Sequence, residues 1–155
     1  MSFVKPYVTA NSLKIIYYSS FQFIMYYGLI FWGNSPDNIK IFSLQKKNIR
    51  IMMGCRCRDS CRKLFLNLEI LPLPSQYILS LLMFVIRNKI QFQVNSEIYQ
   101  INTRQQAKLH QTSVNATKHQ KGVNCIGVKV FNMLNFYIKT ESNNPNKFKA
   151  VLQEY

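Results

Sequence analysis

The six carboxylates of this 155-residue chain, Asp37, Asp59, Glu69, Glu97, Glu141 and Glu154, are widely separated in sequence. Two-metal chemistry needs carboxylates gathered around the ions, and no pair here is spaced for it. There is no phosphate-cradling glycine loop, and neither His110 nor His119 falls in a metal or triad motif. No catalytic residue is therefore assigned. Cys55, Cys57 and Cys61 form a Cys-x-Cys-x3-Cys run that departs from the two-residue zinc knuckle, and Cys125 or a histidine would have to complete it. Cys61 also falls on the apolar face of a predicted short helix. Thiol oxidation is expected ahead of metal binding, and no metal ligand is assigned.

Cation is what the chain has in excess: 20 lysines and arginines against 6 acids, a formal charge of +14. Such an excess costs self-repulsion and points to an anionic partner, nucleic acid first and a membrane surface second. A merely solubilising surface would interleave both signs. Hydrophobic residues make up 48% of the chain, enough to build a core, so wholesale disorder is not expected. Four cysteines are no disulfide framework at this length, and no signal peptide precedes them; the expected compartment is intracellular, nuclear or cytoplasmic.

The elements that must position these cations follow from periodicity. The expected class is mainly α, a small bundle of about five to six helices with an irregular basic segment. Leu13 to Trp32 has the length of a membrane span, but Asn11, Lys14, Tyr18, Gln22 and Tyr26 form a polar stripe. Leu13, Ile16, Ile24, Tyr27 and Phe31 form the opposite face, so a buried helix is favoured over a span. Ser35 suits a helix N-cap, Pro36 the first helical position and Asp37 the positive end of the dipole. On the helix that follows, Lys40, Ser43, Lys47 and Arg50 share one face, while Phe42, Ile49, Met52 and Met53 point the other way.

Gly54 is the expected C-cap, with Asp59 or Ser60 starting a short helix through Cys61, Leu64, Phe65 and Leu68. Leu71-Pro72-Leu73-Pro74 breaks it, and an apolar helix runs from about Ser75 to Asn88. Ile90, Phe92 and Val94, then Tyr99 and Ile101, alternate and allow one short β-hairpin. Gln105 to Gly122, with Arg104, Lys108, Lys118 and Lys121 in or beside it, reads as an exposed loop. Val128, Phe131, Leu134 and Ile138 mark a further helix, and Phe148, Val151 and Leu152 a last one after the break at Asn143–Asn146. The expected organisation is a lead over 1–12, a helical region over 13–89, a basic linker or hairpin over 90–125 and a helical segment over 126–155.

The blocks Tyr27-Gly28-Leu29-Ile30-Phe31-Trp32-Gly33 and Leu44-Gln45-Lys46-Lys47-Asn48-Ile49-Arg50-Ile51 resemble the C-terminal part of non-LTR retrotransposon reverse transcriptases, jockey-like elements especially. The likeness continues through Arg58-Asp59-Ser60-Cys61-Arg62-Lys63-Leu64-Phe65 and Leu71-Pro72-Leu73-Pro74-Ser75-Gln76-Tyr77-Ile78. Asn102-Thr103-Arg104, Gly127-Val128-Lys129-Val130-Phe131-Asn132-Met133-Leu134 and Lys147-Phe148-Lys149 extend it to the end of the chain. The resemblance implies an RNA-directed DNA polymerase as parent, with this chain supplying its thumb-side and post-thumb region. The aromatic-x-Asp-Asp motif that holds the polymerase magnesium ions belongs to the palm and does not occur here. The family often has proline where this chain has Asn135.

The expected function is that of a reverse transcriptase fragment lacking the palm, keeping non-sequence-specific binding to an RNA template, a DNA primer or their hybrid. The candidate phosphate contacts are Lys40, Lys46, Lys47 and Arg50, then Arg56, Arg58, Arg62 and Arg104. The missing palm is a further expected partner, and no cofactor is expected in the chain itself. Two alternatives stay open. One is a decayed retroelement product with no activity, exposing apolar surface at Ser75–Asn88. The other is a basic membrane-associated protein using Leu13 to Trp32.

Overall fold

The computed structural model describes residues 9–100, 103–113, 115 and 120–154. Expectations that fall on Ile101, Asn102, Lys118, His119 and most of the N-terminal lead lie outside these. The described residues are mainly helical, and their β pairing is a single antiparallel bridge between Val94 and Leu109. They divide into two compact units, one ending at Tyr77 and the other beginning at Ile78.

In the first unit, Thr9 opens α1 (Ala10–Ile16), its hydroxyl accepting the Ser12 N–H at 3.4 Å. The helix passes through a π-helical turn (Tyr17–Gln22) into α2 (Phe23–Tyr26). That turn overturns the face expected from an unbroken 3.6-residue repeat. The buried residues run Leu13, Tyr17, Gln22, Met25 and Leu29, with one five-residue step at Tyr17–Gln22. Gln22 is thus carried into the core. Ile24 (71% exposed), Tyr27 (84%) and Phe31 (81%) face outward instead of packing.

Tyr27 turns extended, Gly28 takes φ +71°, and a short α3 (Leu29–Trp32) follows, with the Trp32 indole N–H donating to the Tyr27 carbonyl at 3.1 Å. The stretch is therefore broken. No single helix among the described residues is long and apolar enough to cross a membrane.

The next helix, α4, spans Asn38–Met53. Its start differs from the Ser35 cap expected. Ser35 lies in the preceding turn, where its carbonyl accepts the Asn38 N–H and the Asn38 amide donates to the Gly33 carbonyl at 2.6 Å. Asp37 stands at the cap position, but its side chain accepts from no backbone N–H of the helix. Gly54 ends α4 in the left-handed conformation, as expected.

α5 (Arg62–Leu68) starts from Cys61, not from Asp59 or Ser60, because the Asp59 carboxylate is taken by the Arg56 N–H at 2.8 Å. Leu13, Tyr17, Ile49, Met52, Cys61, Phe65 and Ile70 form one core, and Met25, Leu29 and Leu73 another beside it. Met53, expected inside, is 39% exposed.

The unit boundary falls within α6 (Leu73–Arg87), which carries Pro74 in its first turn. In the second unit Leu82, Val85 and Ile86 join Leu109, Val128, Phe131, Ile138 and Phe148 in one core. The apolar patch expected at Ser75–Asn88 is thus largely buried. The hairpin does not form: a 3₁₀ turn (Lys89–Gln91) and α7 (Asn95–Tyr99) replace it. Glu97 accepts the Val94 N–H at 3.2 Å, a local bond that favours helix start over strand.

The single helix expected through Val128 and Ile138 is two, α8 (Val123–Met133) and α9 (Phe136–Thr140). Leu134 and Asn135 are both extended, so the chain breaks between the two helices. A 3₁₀ turn (Glu141–Asn143) leads to α10 (Pro145–Glu154), whose start is capped by the Asn144 side chain accepting from the Asn146 and Lys147 N–H groups.

Candidate nucleic-acid interface

α4 holds four cations, more than any other helix among the described residues, and its two faces explain their placement. Gln45, Ile49 and Met52 are buried, while Lys40, Ser43 and Lys47 are exposed and Arg50 is partly so. The spacing of the polar set puts it on the side of the helix away from the core. Lys40 lies about 15 Å along the axis from Arg50, at 1.5 Å per residue, and forms an exposed ion pair with Asp37 at 2.9 Å. An exposed pair of this kind holds its partners weakly, so Lys40 is open to exchange Asp37 for another anion.

The C-terminal half is organised differently. The Lys46 ammonium lies over the Phe42 ring, 4.1 Å from its centroid. Arg50 donates from Nε to the Asp59 carbonyl at 2.9 Å, while its terminal nitrogens bond no described residue. That bond holds the Arg56–Asp59 turn against the end of α4. The Cys61 thiol adds a second tether, donating to the Lys46 carbonyl at 3.8 Å. Lys46, Lys47, Arg50, Arg56, Arg58 and Arg62 therefore lie in one neighbourhood, and Arg56, Arg58 and Arg62 are exposed. Arg50 thus has a positioning role that its spacing did not signal. Arg104 belongs to the other unit, exposed in the turn that leads into Lys108.

Acids do little to neutralise this surface. The ion pairs among the described residues are Lys40–Asp37, Lys14–Glu69 at 4.0 Å and Lys147–Glu141 at 2.9 Å. The carboxylates act singly, Asp59 on the Arg56 N–H and Glu97 on the Val94 N–H. No three histidine, cysteine, aspartate or glutamate side chains among the described residues gather as a metal site would require. The residues do not fit the magnesium centre of a polymerase. Nor do the cysteines gather: Cys61 is buried in a core, Cys57 is exposed, and Cys125 lies in the other unit.

Comparison with protein-family models, with curated proteins and with solved structures found no match to this chain.

Chemically, the α4 surface offers flexible ammonium groups and planar guanidinium forks over a rigid backbone. Such an array suits polyphosphate backbones. Contact between such an array and a phosphate backbone would draw its affinity from counterion release and would position a strand without reading sequence.

Proposed function

We propose that the chain is a thumb-side and post-thumb piece of a jockey-like reverse transcriptase, retaining non-sequence-specific binding to RNA–DNA hybrid through α4 and the Arg56–Asp59 turn. The observation that carries the binding reading is the pairing of a buried α4 face, centred on Gln45 and Ile49, with an outward cationic face. Two side-chain tethers, Arg50 to Asp59 and Cys61 to Lys46, support it by holding the segment that carries Arg56, Arg58 and Arg62 close to the C-terminal half of α4. The polymerase parentage rests on the sequence resemblance. The experiment is a titration of labelled RNA–DNA hybrid across a salt series. Affinity should fall steeply with salt and be indifferent to sequence. Binding that ignores salt, or no binding at low salt, defeats the proposal.

A second reading is favoured by the outward row of Ile15, Phe23, Ile24, Tyr27 and Phe31, each at least 68% exposed. Large apolar side chains left exposed in one segment are what an absent partner would have covered. In this reading the row met the palm of the parent enzyme, and the isolated chain is an inactive remnant. Concentration-dependent aggregation at physiological salt, with no hybrid binding by the soluble fraction, would select it. The membrane reading gains nothing from α1–α3, which are too short and broken to span.

A further inference from the structure

We propose that the groove bounded by α7, residues 105–111 and α8 is a binding site for a phosphomonoester carrying an aromatic base, the mononucleotide class. It lies wholly in the second unit and rests on nothing in α4. The groove has a volume of about 450 Å³, and its lining includes Asn95, Tyr99, Lys108, His110, Lys129 and Asn132 but no carboxylate. That volume is in the range of small-molecule sites.

Two lysines, Lys108 and Lys129, line the groove without a carboxylate among its lining residues. Both are exposed, and neither has an ion pair among the described residues. Behind the wall, the Lys139 ammonium donates to the Asn132 carbonyl at 2.9 Å. Burial and, next, the neighbouring Lys108 charge push its pKa below the usual lysine value. A bound phosphate would relieve that repulsion, and the lysines and amides of the groove are donors matched to its oxygens.

The frame is fixed before any ligand arrives. The Asn132 side chain accepts the Leu109 N–H at 3.0 Å and donates to the Leu109 carbonyl at 2.9 Å, locking the backbone on both sides of that residue. The Asn95 N–H donates to the Lys108 carbonyl at 2.9 Å, the Asn95 amide to the Gln105 carbonyl at 3.0 Å, and the His110 N–H to the Gln93 carbonyl at 2.8 Å. Little ordering is left to be done on binding. The Tyr99 ring packs edge-on against His110 with centroids 5.6 Å apart, yet is 56% exposed, which leaves it available to stack on a base.

The test uses the full chain with AMP, adenosine and inorganic phosphate, followed by amide chemical shifts. AMP should shift the Tyr99, Leu109 and Asn132 signals, and adenosine should bind at least ten-fold more weakly. The Lys108→Gln/Lys129→Gln variant, checked for an unchanged far-UV spectrum, should lose at least ten-fold in AMP affinity. Single Lys129→Gln serves if the double variant does not fold, and should lose at least three-fold. Lys63→Gln, at an exposed lysine outside both surfaces, should change AMP affinity less than two-fold. Tyr99→Ala should weaken AMP but not inorganic phosphate. Equal binding of AMP and adenosine, a fully binding Lys108/Lys129 variant, or an equal loss in Lys63→Gln overturns the site. Competition by a 5′-phosphorylated oligonucleotide, unmatched by its unphosphorylated twin, would assign the ligand as a strand terminus; AMP binding that neither displaces assigns a free nucleotide.

Discussion

The Gln45 amide donates to the Tyr17 hydroxyl at 3.0 Å, although the two residues lie 28 positions apart. Both are fully buried, and the same amide group also donates to the Leu71 carbonyl and accepts the Leu73 N–H at 2.8 Å. One side chain thus ties the π-helical turn, α4 and the start of α6 together at the centre of the first unit. Replacing Gln45 with alanine leaves the Leu73 N–H and the Tyr17 hydroxyl buried without this partner, though Leu71 keeps a bond from Gln76. The expected cost is about 2–4 kcal/mol. It would be read as a fall in melting temperature or denaturant midpoint.

The same contact makes an alkaline prediction. Burial holds the Tyr17 pKa up to about 12 from the ordinary 10, partly offset by the Gln45 bond. A raised folded-state value means that the contribution is fully present below pH 10 and is lost as pH rises toward 12. The total at stake is about 3 kcal/mol. Tyrosinate absorbance at 295 nm should show a phase near pH 12 in the wild type that is missing from Tyr17→Phe.

Gln22 is buried, and its Oε1 has no hydrogen-bond partner among the described residues. Gln22→Met keeps the length of the side chain and removes the orphaned acceptor. It should stabilise the fold by about 1 kcal/mol, measured by urea denaturation. A loss of stability would mean that the carbonyl is satisfied by a buried water.

At Gly33 the chain passes directly beneath the Tyr77 ring, and an added Cβ would also lie 2.7 Å from the Leu29 carbonyl oxygen. Gly33→Ala should therefore destabilise by about 1–3 kcal/mol despite the better helix propensity of alanine. Tyr77, whose pKa burial raises, should titrate closer to a free tyrosine in that variant.

Lys47 and Arg50 separate binding from folding. Lys47 is exposed and makes no bond to a described residue, so Lys47→Gln should leave the melting temperature unchanged and reduce the salt slope of hybrid binding by about 1. Arg50 also holds the Asp59 carbonyl. Arg50→Gln should cost binding and, in addition, loosen the Arg56–Asp59 turn, visible as faster amide exchange there.

What the sequence disclosed and what it hid have physical reasons. The outward polar face of α4 follows a 3.6-residue repeat and was legible, as was the left-handed Gly54 that ends α4; the strongly apolar run of α6 marked a helix without marking which side is buried. The five-residue step at Tyr17–Gln22 leaves no compositional mark, and one such step was enough to turn Ile24, Tyr27 and Phe31 outward. Gln45 opens a polar run, Gln45-Lys46-Lys47-Asn48, that carries no mark of burial; Tyr17, Leu71 and Leu73, brought in from elsewhere, make it interior. The Lys108 and Lys129 pairing was hidden because the 105–122 stretch lacks any period, while the bridge from Val94 to Leu109 that organises it depends on Asn132, over twenty residues later.

The outward turn of Phe23, Ile24, Tyr27 and Phe31 places sticky surface on a molecule whose net charge holds copies of itself apart. Dissolved ions weaken that mutual repulsion while leaving the oily strip untouched. Low ionic strength therefore protects this protein from self-association, and the buffers commonly added to suppress nonspecific binding would drive its monomers together.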